Sequence, residues 1–357
     1  MSDEALRALR AEIDAVDDAL LANFSRRAEL ASQVGHLKQG RAVYRPEREA
    51  QILRRMLGAN PGPLPATAIR QLFTELMSAC RALEQNLVIA YLGPPGTFSQ
   101  SAASQHFGSA PEFMPVESID AAFRAVEAGQ AHYAVVPVEN SAEGSVGRTL
   151  DLLLQTSLVC AGEVILRVHQ NLMSRATDLA AISRIYSHAQ SFGQCHEWLN
   201  AHAGGRERIV VASNAEAARR AAEDPGSAAI AGTAAAELYG LTVLARNIED
   251  DPNNATRFLV MGTQRAARAG HDKTSFACSA PNRPGAVHAL LQPLAQEAVS
   301  MTKLESRPSP QGRWEYVFYI DVLGHVEDQD VARALANVES RATFFKVFGS
   351  YPRALVT

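Results

Sequence analysis

Cysteine is scarce in this sequence, and neither a disulfide framework nor a metal-ligand pattern is present. The four cysteines stand far apart and form no C-x-x-C pair: Cys80, Cys160, Cys195 and Cys278. Reduced thiols are therefore expected, and neither a metal nor a cofactor is predicted. Long apolar runs are lacking as well, since no window approaches the roughly 18 uncharged apolar residues of a membrane span. Because Asp3 and Glu4 precede any apolar stretch, no signal peptide is expected, and we predict a cytoplasmic protein.

A strong excess of one charge is also absent. The chain has 34 Lys and Arg against 38 Asp and Glu, a formal net charge of −4, which gives no general attraction to nucleic acid. Its 357 residues, 47% hydrophobic and 20% charged, indicate a globular protein of two or three domains. We therefore expect small molecules as partners, and neither nucleic acid nor a membrane.

The first 39 residues favour a single long helix, because proline is missing there and only one glycine occurs between residues 2 and 39. Asn23 and Arg27 interrupt an apolar seam and, being four residues apart, lie on the same face. Arg27 either binds an anion at a packed interface, or both residues only set register and oligomeric state. The seam occupies two heptad columns: Leu6, Leu9, Ile13, Val16, Leu20, Leu30, Val34 and Leu37.

Two further amphipathic helices are predicted over 46–57 and 65–87, which completes an all-α module. Arg10 and Lys38 lie on the first helix, about 42 Å apart at 1.5 Å per residue, which is too far for one metabolite. An antiparallel pairing of two chains would bring Arg10 of one towards Arg27 and Lys38 of the other. The sequence therefore predicts an obligate homodimer, and further association of dimers stays open.

The helical segment resembles the all-helical chorismate mutase family. The resemblance rests on Leu9-Arg10, Arg26 to Ala31, Val34-Gly35, Lys38, Tyr44 to Glu49 and Cys80 to Glu84. It implies that two arginines bind the substrate carboxylates, one of them across a dimer, while a lysine and a Gln or Glu hold the ether oxygen of the breaking bond. By position these catalytic residues are Arg10, Arg27, Lys38 and Glu84, with Arg48 and Glu49 completing the pocket.

Beyond Leu87 the pattern changes to short apolar strands that alternate with helical stretches as far as about Gly262, which predicts an α/β fold. Polar turns follow four of these strands, an arrangement typical of a ligand cleft. The first turn is not G-x-G-x-x-G, so nucleotide binding is weakly supported. The turns contain Gly93 to Ser99, Pro137 to Gly144, Ser187 to Gln190, and Asn254 to Phe258.

These four motifs together resemble prephenate dehydratase. The resemblance implies two α/β lobes, similar to type 2 periplasmic binding proteins, with the site between them. Thr256 is expected to donate a hydrogen bond to the leaving oxygen, and His188 or Glu139 to relay the proton, a choice that stays open. The expected substrate-binding residues are Thr97, Ser99, Asn140, Ser141, Ser191, Arg257 and Phe258.

The last 85 residues follow a polar linker over 264–272 and predict the order βαββαβ of a ferredoxin-like unit. The motifs over 282–287 and 304–308 resemble the ACT regulatory domain, which implies that phenylalanine binds between paired domains as an allosteric inhibitor. The implied regulatory residues are Asn282, Gly285, Ala286, Val287, Leu304, Glu305, Ser306 and Arg307.

The expected domains are therefore 1–87, 88–266 and 273–357. Their order predicts a multidomain, bifunctional enzyme of phenylalanine biosynthesis that turns chorismate into prephenate and prephenate into phenylpyruvate. Two alternatives stay open. One is a non-catalytic effector-binding regulator. The other keeps the dehydratase, but makes the helices a dimerisation arm or replaces prephenate by arogenate.

A pH prediction follows from Glu84, which stands where Gln can stand in the mutase family. A Glu donates a hydrogen bond to the ether oxygen only in its protonated form, which becomes rarer as pH rises. We expect mutase activity to fall as pH rises towards and above neutrality, and Glu84→Gln to flatten the profile. Initial rates of chorismate loss across pH check this, and an unchanged profile in Glu84→Gln would refute it.

Overall fold

A computed structural model of the chain describes residues 3–38, 43–280, 283–308 and 316–355, without the side chain of Lys38. Within these residues the chain forms a helical module, a two-lobed α/β module and a C-terminal module, as the sequence predicts. No helix in the described ranges is long and apolar enough to cross a membrane.

The helical module consists of α1 (Asp3–Lys38), α2 (Pro46–Ala59) and α3 (Ala66–Ala82). The third helix ends five residues before the predicted end, where a turn leads into the first strand. The apolar seam of α1 stays uncovered in the single chain, with Ile13 58% and Val16 59% exposed. An apolar face of this length left in water is typical of a surface that pairs with another protein.

The first lobe of the α/β module is a six-stranded sheet with the order β2-β1-β3-β11-β5, in which β4 pairs with β3. The strands β1, β2 and β3 run parallel, and β11 is antiparallel to both of its neighbours. The elements of this lobe are β1 (Val88–Leu92), α4 (Phe98–Phe107), β2 (Glu112–Val116), α5 (Ile119–Glu127), β3 (Tyr133–Asn140), β4 (Gly144–Ser145), α6 (Gly147–Gln155), β5 (Val159–Arg167) and β11 (Ala255–Gly262).

The second lobe is a five-stranded sheet with the order β10-β6-β9-β7-β8. Its elements are β6 (Asn171–Ser174), a 3-10 turn (Leu179–Ala181), β7 (Arg184–Ser187), α7 (Ala189–Gln194), α8 (His196–His202), β8 (Glu207–Val210), α9 (Asn214–Glu223), β9 (Ser227–Ala231), α10 (Thr233–Tyr239) and β10 (Thr242–Ala245). The chain crosses between the lobes at 168–170 and 246–254. The two crossings are joined by backbone hydrogen bonds from Val168 N to Asn254 O and from Ile248 N to Gln170 O, both 2.8 Å. The two lobes are therefore linked by two crossing segments that lie side by side.

The C-terminal module has the predicted order βαββαβ in an antiparallel sheet, β13-β14-β12-β15. Its helices cover one face, and the other face packs on the first lobe, where Phe348 and Tyr351 share a core with Leu153 and Leu158. This module is therefore docked on the first lobe. Its elements are β12 (Asp272–Ser279), α11 (Ala286–Gln296), β13 (Met301–Pro308), β14 (Tyr316–Leu323), α12 (Gln329–Arg341) and β15 (Phe344–Pro352).

A close backbone approach marks the contact between these two modules. A Cβ atom added to Gly349 on β15 would lie 2.2 Å from the carbonyl oxygen of Cys160 on β5. Because the obstructing atom belongs to the backbone, it cannot swing away, and only glycine fits this position.

We expect Gly349→Ala to lower the free energy of unfolding by about 1–3 kcal/mol or more, because a core contact must be forced apart. Gly58→Ala is the matched control, since Gly58 lies in α2 with nothing within 4 Å of the added Cβ. That change should stabilise the helix by about 0.5–1 kcal/mol. Urea unfolding of both variants checks the pair, and equal midpoints would contradict the packing argument.

Candidate functional site

The two lobes enclose a cleft of about 450 Å³. Its walls come from the chain just beyond the carboxyl ends of the parallel strands, β1, β2 and β3 in one lobe and β7, β8 and β9 in the other, where ligands bind in open α/β folds. All four polar turns singled out in the sequence contribute at least one residue. The lining residues are Leu92, Gly93, Pro94, Gly96, Thr97, Phe98, Ser99, Glu117, Asn140, Val168, Gln170, His188, Gln190, Ser191, Gln194, Ala212, Ser213, Asn214, Gly232 and Thr256.

Thr256 lies in the cleft with its hydroxyl held by Asn140. The two residues are directly opposite on β11 and β3, and Asn140 Nδ2 donates to Thr256 Oγ1 at 2.9 Å. Asn140 is itself fixed, because its Oδ1 accepts from the backbone N–H groups of Ala142 and Glu143 at 3.0 and 3.2 Å. Since the Thr256 oxygen accepts a bond from Asn140, its own proton is available to an acceptor in the cleft.

His188 and Ser191 face Thr256 from the second lobe. His188 precedes α7, and its Nδ1 accepts from the backbone N–H of Gln190 at 3.4 Å, which leaves the proton of the neutral ring on Nε2. Ser191 Oγ accepts from Asn214 Nδ2 at 2.7 Å and from Gln170 Nε2 at 2.9 Å. Both side chains therefore offer donor hydrogens to a ligand.

Thr97 and Ser99 lie where α4 begins at the edge of the cleft. Thr97 caps this helix by accepting from Gln100 N at 3.5 Å, and its hydroxyl donates to Leu92 O at 3.0 Å. Ser99 is buried in the first turn. A second helix, α9, also begins at the cleft, with Ser213 as its cap and Asn214 as its first residue. Two helix N-termini thus direct partial positive charge towards the same space.

Arg257 and Glu139 are not among the residues that line the cleft, which differs from the sequence-based expectation. They are directly opposite on β11 and β3 and point to the face away from the cleft, because successive side chains of a strand alternate. Arg257 contacts Glu163, Asp321 and Tyr351, while Glu139 lies 3.0 Å from Lys303 Nζ. The structure thus places outside the cleft lining both Arg257, which was expected to bind substrate, and Glu139, one of the two residues considered for the proton relay.

Two other expected substrate-binding residues also lie outside the cleft lining. Phe258 is 1% exposed in the core of the first lobe, where it packs with Tyr91 and Val164. Ser141 is exposed, and its Oγ accepts from Ala255 N at 2.9 Å. Phe258 is therefore a core residue, and Ser141 fixes the turn beside Asn140.

Several cleft residues escaped the sequence analysis. Glu117 directly follows β2, and Asn214 comes four residues after the end of β8, so polar residues after these two strands are the signal that could have found both. Gln170 lies on the lobe crossing, which only the tertiary structure reveals. Within the described part of the chain, no Arg or Lys lines the cleft. Apart from the carboxylate of Glu117, the polar lining consists of hydroxyl, amide, imidazole and backbone groups.

The helical module brings some of its expected site residues together. Arg27 Nη1 lies 2.9 Å from Cys80 Sγ. The side chain of Glu84 lies against Gly35, where a Cβ would be 2.7 Å from Glu84 Cγ. Its Oε2 atom is buried and has no hydrogen-bond partner within the described residues. Glu84 therefore has a buried oxygen beside α1 that no described group satisfies.

The remaining mutase-type residues are spread out. Glu49 is paired with the buried Arg81, and burial raises the pKa of Glu49 although Arg81 opposes the shift. Arg48 and Arg10 are exposed. Arg10 and Arg27 are 17 residues apart on α1, about 26 Å, so one chain does not bring them together. The side chain of Lys38 lies outside the described residues.

The regulatory-type residues divide between two faces of β13. Leu304 and Ser306 are exposed, whereas Glu305 contacts Ser145, and Arg307 Nη1 donates to Gly147 O at 2.6 Å. Glu305 and Arg307 thus contact the first lobe and not an open ligand surface. The turn before α11 has Gly285 at φ 76°, followed by Ala286 and the exposed Val287. Asn282 lies outside the described residues.

Comparisons with known proteins agree across nearly the whole chain. Sequence models of three families match in order: chorismate mutase type II over 9–85, prephenate dehydratase over 89–266 and the ACT domain over 274–340. A bifunctional chorismate mutase/prephenate dehydratase of Neisseria gonorrhoeae is 53% identical over 357 residues, covering 99% of both chains. Another, of Stutzerimonas stutzeri, is 47% identical over 359 residues, covering 98% of both.

A solved structure is similar as well. The prephenate dehydratase of Arthrobacter aurescens, in complex with L-Phe, superposes with a TM-score of 0.69 and 34% sequence identity. The match covers 75% of this chain and 90% of that one.

Proposed function

Because the chain belongs to the family of bifunctional chorismate mutase/prephenate dehydratases of phenylalanine biosynthesis, we propose specific roles for its residues in both reactions. Chorismate rearranges to prephenate in the helical module of a dimer, prephenate becomes phenylpyruvate in the cleft, and phenylalanine inhibits from the C-terminal module. The observation that carries the dehydratase assignment is the Thr256 hydroxyl, held by Asn140 so that its proton is free for the cleft.

The dehydratase step loses carbon dioxide and water together. The bond between the ring and its carboxylate breaks, its electron pair completes the aromatic ring, and the C–O bond to the ring hydroxyl breaks. The departing oxygen takes up one proton and leaves as water, so each turnover consumes one proton. We assign Thr256 and the Nε2–H of His188 to donate hydrogen bonds to this oxygen, which takes up its proton from solvent. His188 lines the cleft and Glu139 does not, which supports this choice.

The proposed binding of the two carboxylates is supported by the N-termini of α4 and α9, with Ser99 and Asn214 beside them. Helix N-termini attract carboxylates through backbone N–H groups. The lack of Arg and Lys in the described lining suits this chemistry. A cation on the carboxylate that leaves as carbon dioxide would stabilise the substrate more than the transition state, in which that charge disperses. Neutral donors avoid this penalty.

For the mutase, we assign Arg27 and the Arg10 of a second chain to the two carboxylates, and Glu84 and Lys38 to the ether oxygen. The rearrangement needs no nucleophile, so fixed charges around a compact dicarboxylate are sufficient. The exposed seam of α1 supports the dimer, and the partnerless Glu84 Oε2 supports a ligand contact. Arg48 and Glu49 complete the pocket.

For regulation, we propose that phenylalanine binds beside Gly285, Ala286 and Val287 and the exposed Leu304 and Ser306, with Asn282 completing the site. The complex of the Arthrobacter relative with L-Phe supports this ligand. We keep the domain boundaries 1–87, 88–266 and 273–357. A cytoplasmic location is supported by four unpaired, buried cysteines.

One assay tests the whole proposal: purified protein receives chorismate, and its loss, phenylpyruvate formation and the effect of phenylalanine are followed. Turnover of prephenate without consumption of chorismate would reduce the helices to a dimerisation arm. Supplying arogenate in parallel determines whether the cleft also accepts an amino group. Failure with all three substrates would refute the proposed function.

Thr256 provides a sharp test of the dehydratase mechanism. We expect Thr256→Ala to lower the dehydratase kcat by about 10²–10³-fold, because one preorganised donor to the leaving oxygen is lost. Thr256→Ser keeps the hydroxyl and should retain most of the activity. Mutase activity measured in the same samples controls for folding, and nearly full dehydratase turnover in Thr256→Ala would exclude the assigned role.

Subunit mixing tests the shared mutase site. Arg10→Ala and Arg27→Ala should each abolish most mutase activity as homodimers. When the two variants are co-expressed, half of the dimers are mixed, and each mixed dimer has one intact site, so about a quarter of the wild-type rate should return. Mutase rates of the purified mixture check this. A mixture as inactive as the parents would show that Arg10 does not act across the dimer.

A further inference from the structure

The outer face of β11 carries a buried cluster that joins two modules. Arg257 Nε donates to Glu163 Oε2 at 2.8 Å within the first lobe. Its Nη1 donates to Asp321 Oδ2 at 2.6 Å and its Nη2 to the Tyr351 hydroxyl at 2.9 Å, both in the C-terminal module. Glu163, Asp321 and Tyr351 are 4%, 6% and 0% exposed, so solvent screens these bonds little.

The cluster balances its charges. Glu163 Oε2 also accepts from Lys273 Nζ at 2.7 Å, so Glu163 and Asp321 are matched by two cations, while Glu139 Oε2 lies 3.6 Å from Arg257 Nη1 and 3.0 Å from Lys303 Nζ. Asp321 accepts a further hydrogen bond from Ser275. Removal of one partner from such a buried set leaves an uncompensated charge, which costs far more than the loss of an exposed ion pair. These buried bonds therefore hold β11 firmly against the C-terminal module.

The ladder between β11 and β3 is irregular beside Arg257. The pairing shifts register between Arg257 and Phe258, opposite Pro137, which has no N–H to donate. The pairing of β11 with β5 is regular from Ala255 to Val260. The side-chain bonds of Arg257 therefore hold the strand where its ladder with β3 is interrupted.

A second connection lies directly across the ladder. Glu139 on β3 lies opposite Arg257 on β11, and the next residues, Asn140 and Thr256, also lie opposite each other. Lys303 Nζ of β13 lies 3.0 Å from Glu139 Oε2. Thr256 and Asn140 therefore face the cleft, while their chain neighbours Arg257 and Glu139 face the C-terminal module. Lys303 precedes Leu304, one of the residues proposed for phenylalanine.

We infer that Arg257 and Glu139 are positioning residues of the dehydratase, through which Asp321, Tyr351 and Lys303 of the C-terminal module set the placement of Thr256 and Asn140. The inference rests on the proposed function. The C-terminal module is then a structural part of the dehydratase site, and a ligand that shifts β13 and β14 changes turnover through these contacts.

Two tyrosines provide a matched test. Tyr351→Phe removes the hydroxyl that accepts from Arg257 and also lies 2.5 Å from Ser275 Oγ, whereas Tyr319→Phe removes one that donates to Leu150 O at 3.2 Å in the same interface. Since the hydrogen bond to Arg257 is worth about 1 kcal/mol, we expect Tyr351→Phe to lower the dehydratase kcat about fivefold, with KM nearly unchanged. The phenylalanine concentration for half-inhibition should also shift. Tyr319→Phe should resemble the wild type in all three quantities.

Two charge variants extend the test. Asp321→Asn should lower kcat more than Tyr351→Phe, and Arg257→Lys should retain more activity than Arg257→Met because it keeps the charge. Mutase activity in each sample reports folding. If Tyr351→Phe matches Tyr319→Phe in kcat, KM and half-inhibition, the inference is wrong. An increase in KM alone for Arg257→Lys would also overturn it, by placing the guanidinium on the substrate. A wild type that does not turn over prephenate would instead remove the proposed function together with the inference.

Discussion

Alternation of side chains along a β-strand is the constraint on which the dehydratase half of this protein depends. Thr256 and Arg257 are neighbours in the chain, yet one serves a cleft and the other a buried ionic cluster on the opposite face of the sheet. The same holds for Asn140 and Glu139 on the adjacent strand. A one-residue change of register would exchange the two faces and destroy both sites together.

This division also separates two electrostatic regimes. The cleft relies on neutral donors and helix N-termini, which bind an anion without fixing it in a strong ion pair. The interface has the charged groups, where burial makes each bond strong and geometry strict. A cation in the cleft would hold back the carboxylate that must leave. At the interface, the charged bonds add direction to the apolar core that the two modules share. Neutral donors thus suit the face of the sheet that binds substrate, and charged groups suit the face that binds the C-terminal module.

The sequence predicted the three modules, their order, the βαββαβ topology, and a polar cleft containing Thr256, Asn140, His188 and Ser191. It did not separate Arg257 and Glu139 from the cleft residues, because a motif identifies positions without revealing which face of a sheet meets a ligand and which meets another module. The same limit divided the regulatory motif, in which Glu305 and Arg307 contact the first lobe while Leu304 and Ser306 stay exposed. Gln170 was missed because its place in the cleft depends on a crossing between lobes. The local sequence pattern predicts where helices and strands lie. Which molecule or module covers each face of a sheet depends on the tertiary structure.

The mutase module is attached to the dehydratase by the same type of contact. Arg81 is 5% exposed, binds Glu49 of the proposed mutase pocket, and donates through Nη2 to Phe107 O at 2.6 Å. Phe107 is the last residue of α4, so the cation caps the end of a helix where carbonyl groups lack partners. The other end of α4 begins at the cleft, about 15 Å away for ten residues. One short helix thus connects the residue that holds Glu49 with the N–H groups that we assign to a prephenate carboxylate. Fusion of the two enzymes thus places a single helix between the proposed mutase pocket and the proposed dehydratase cleft.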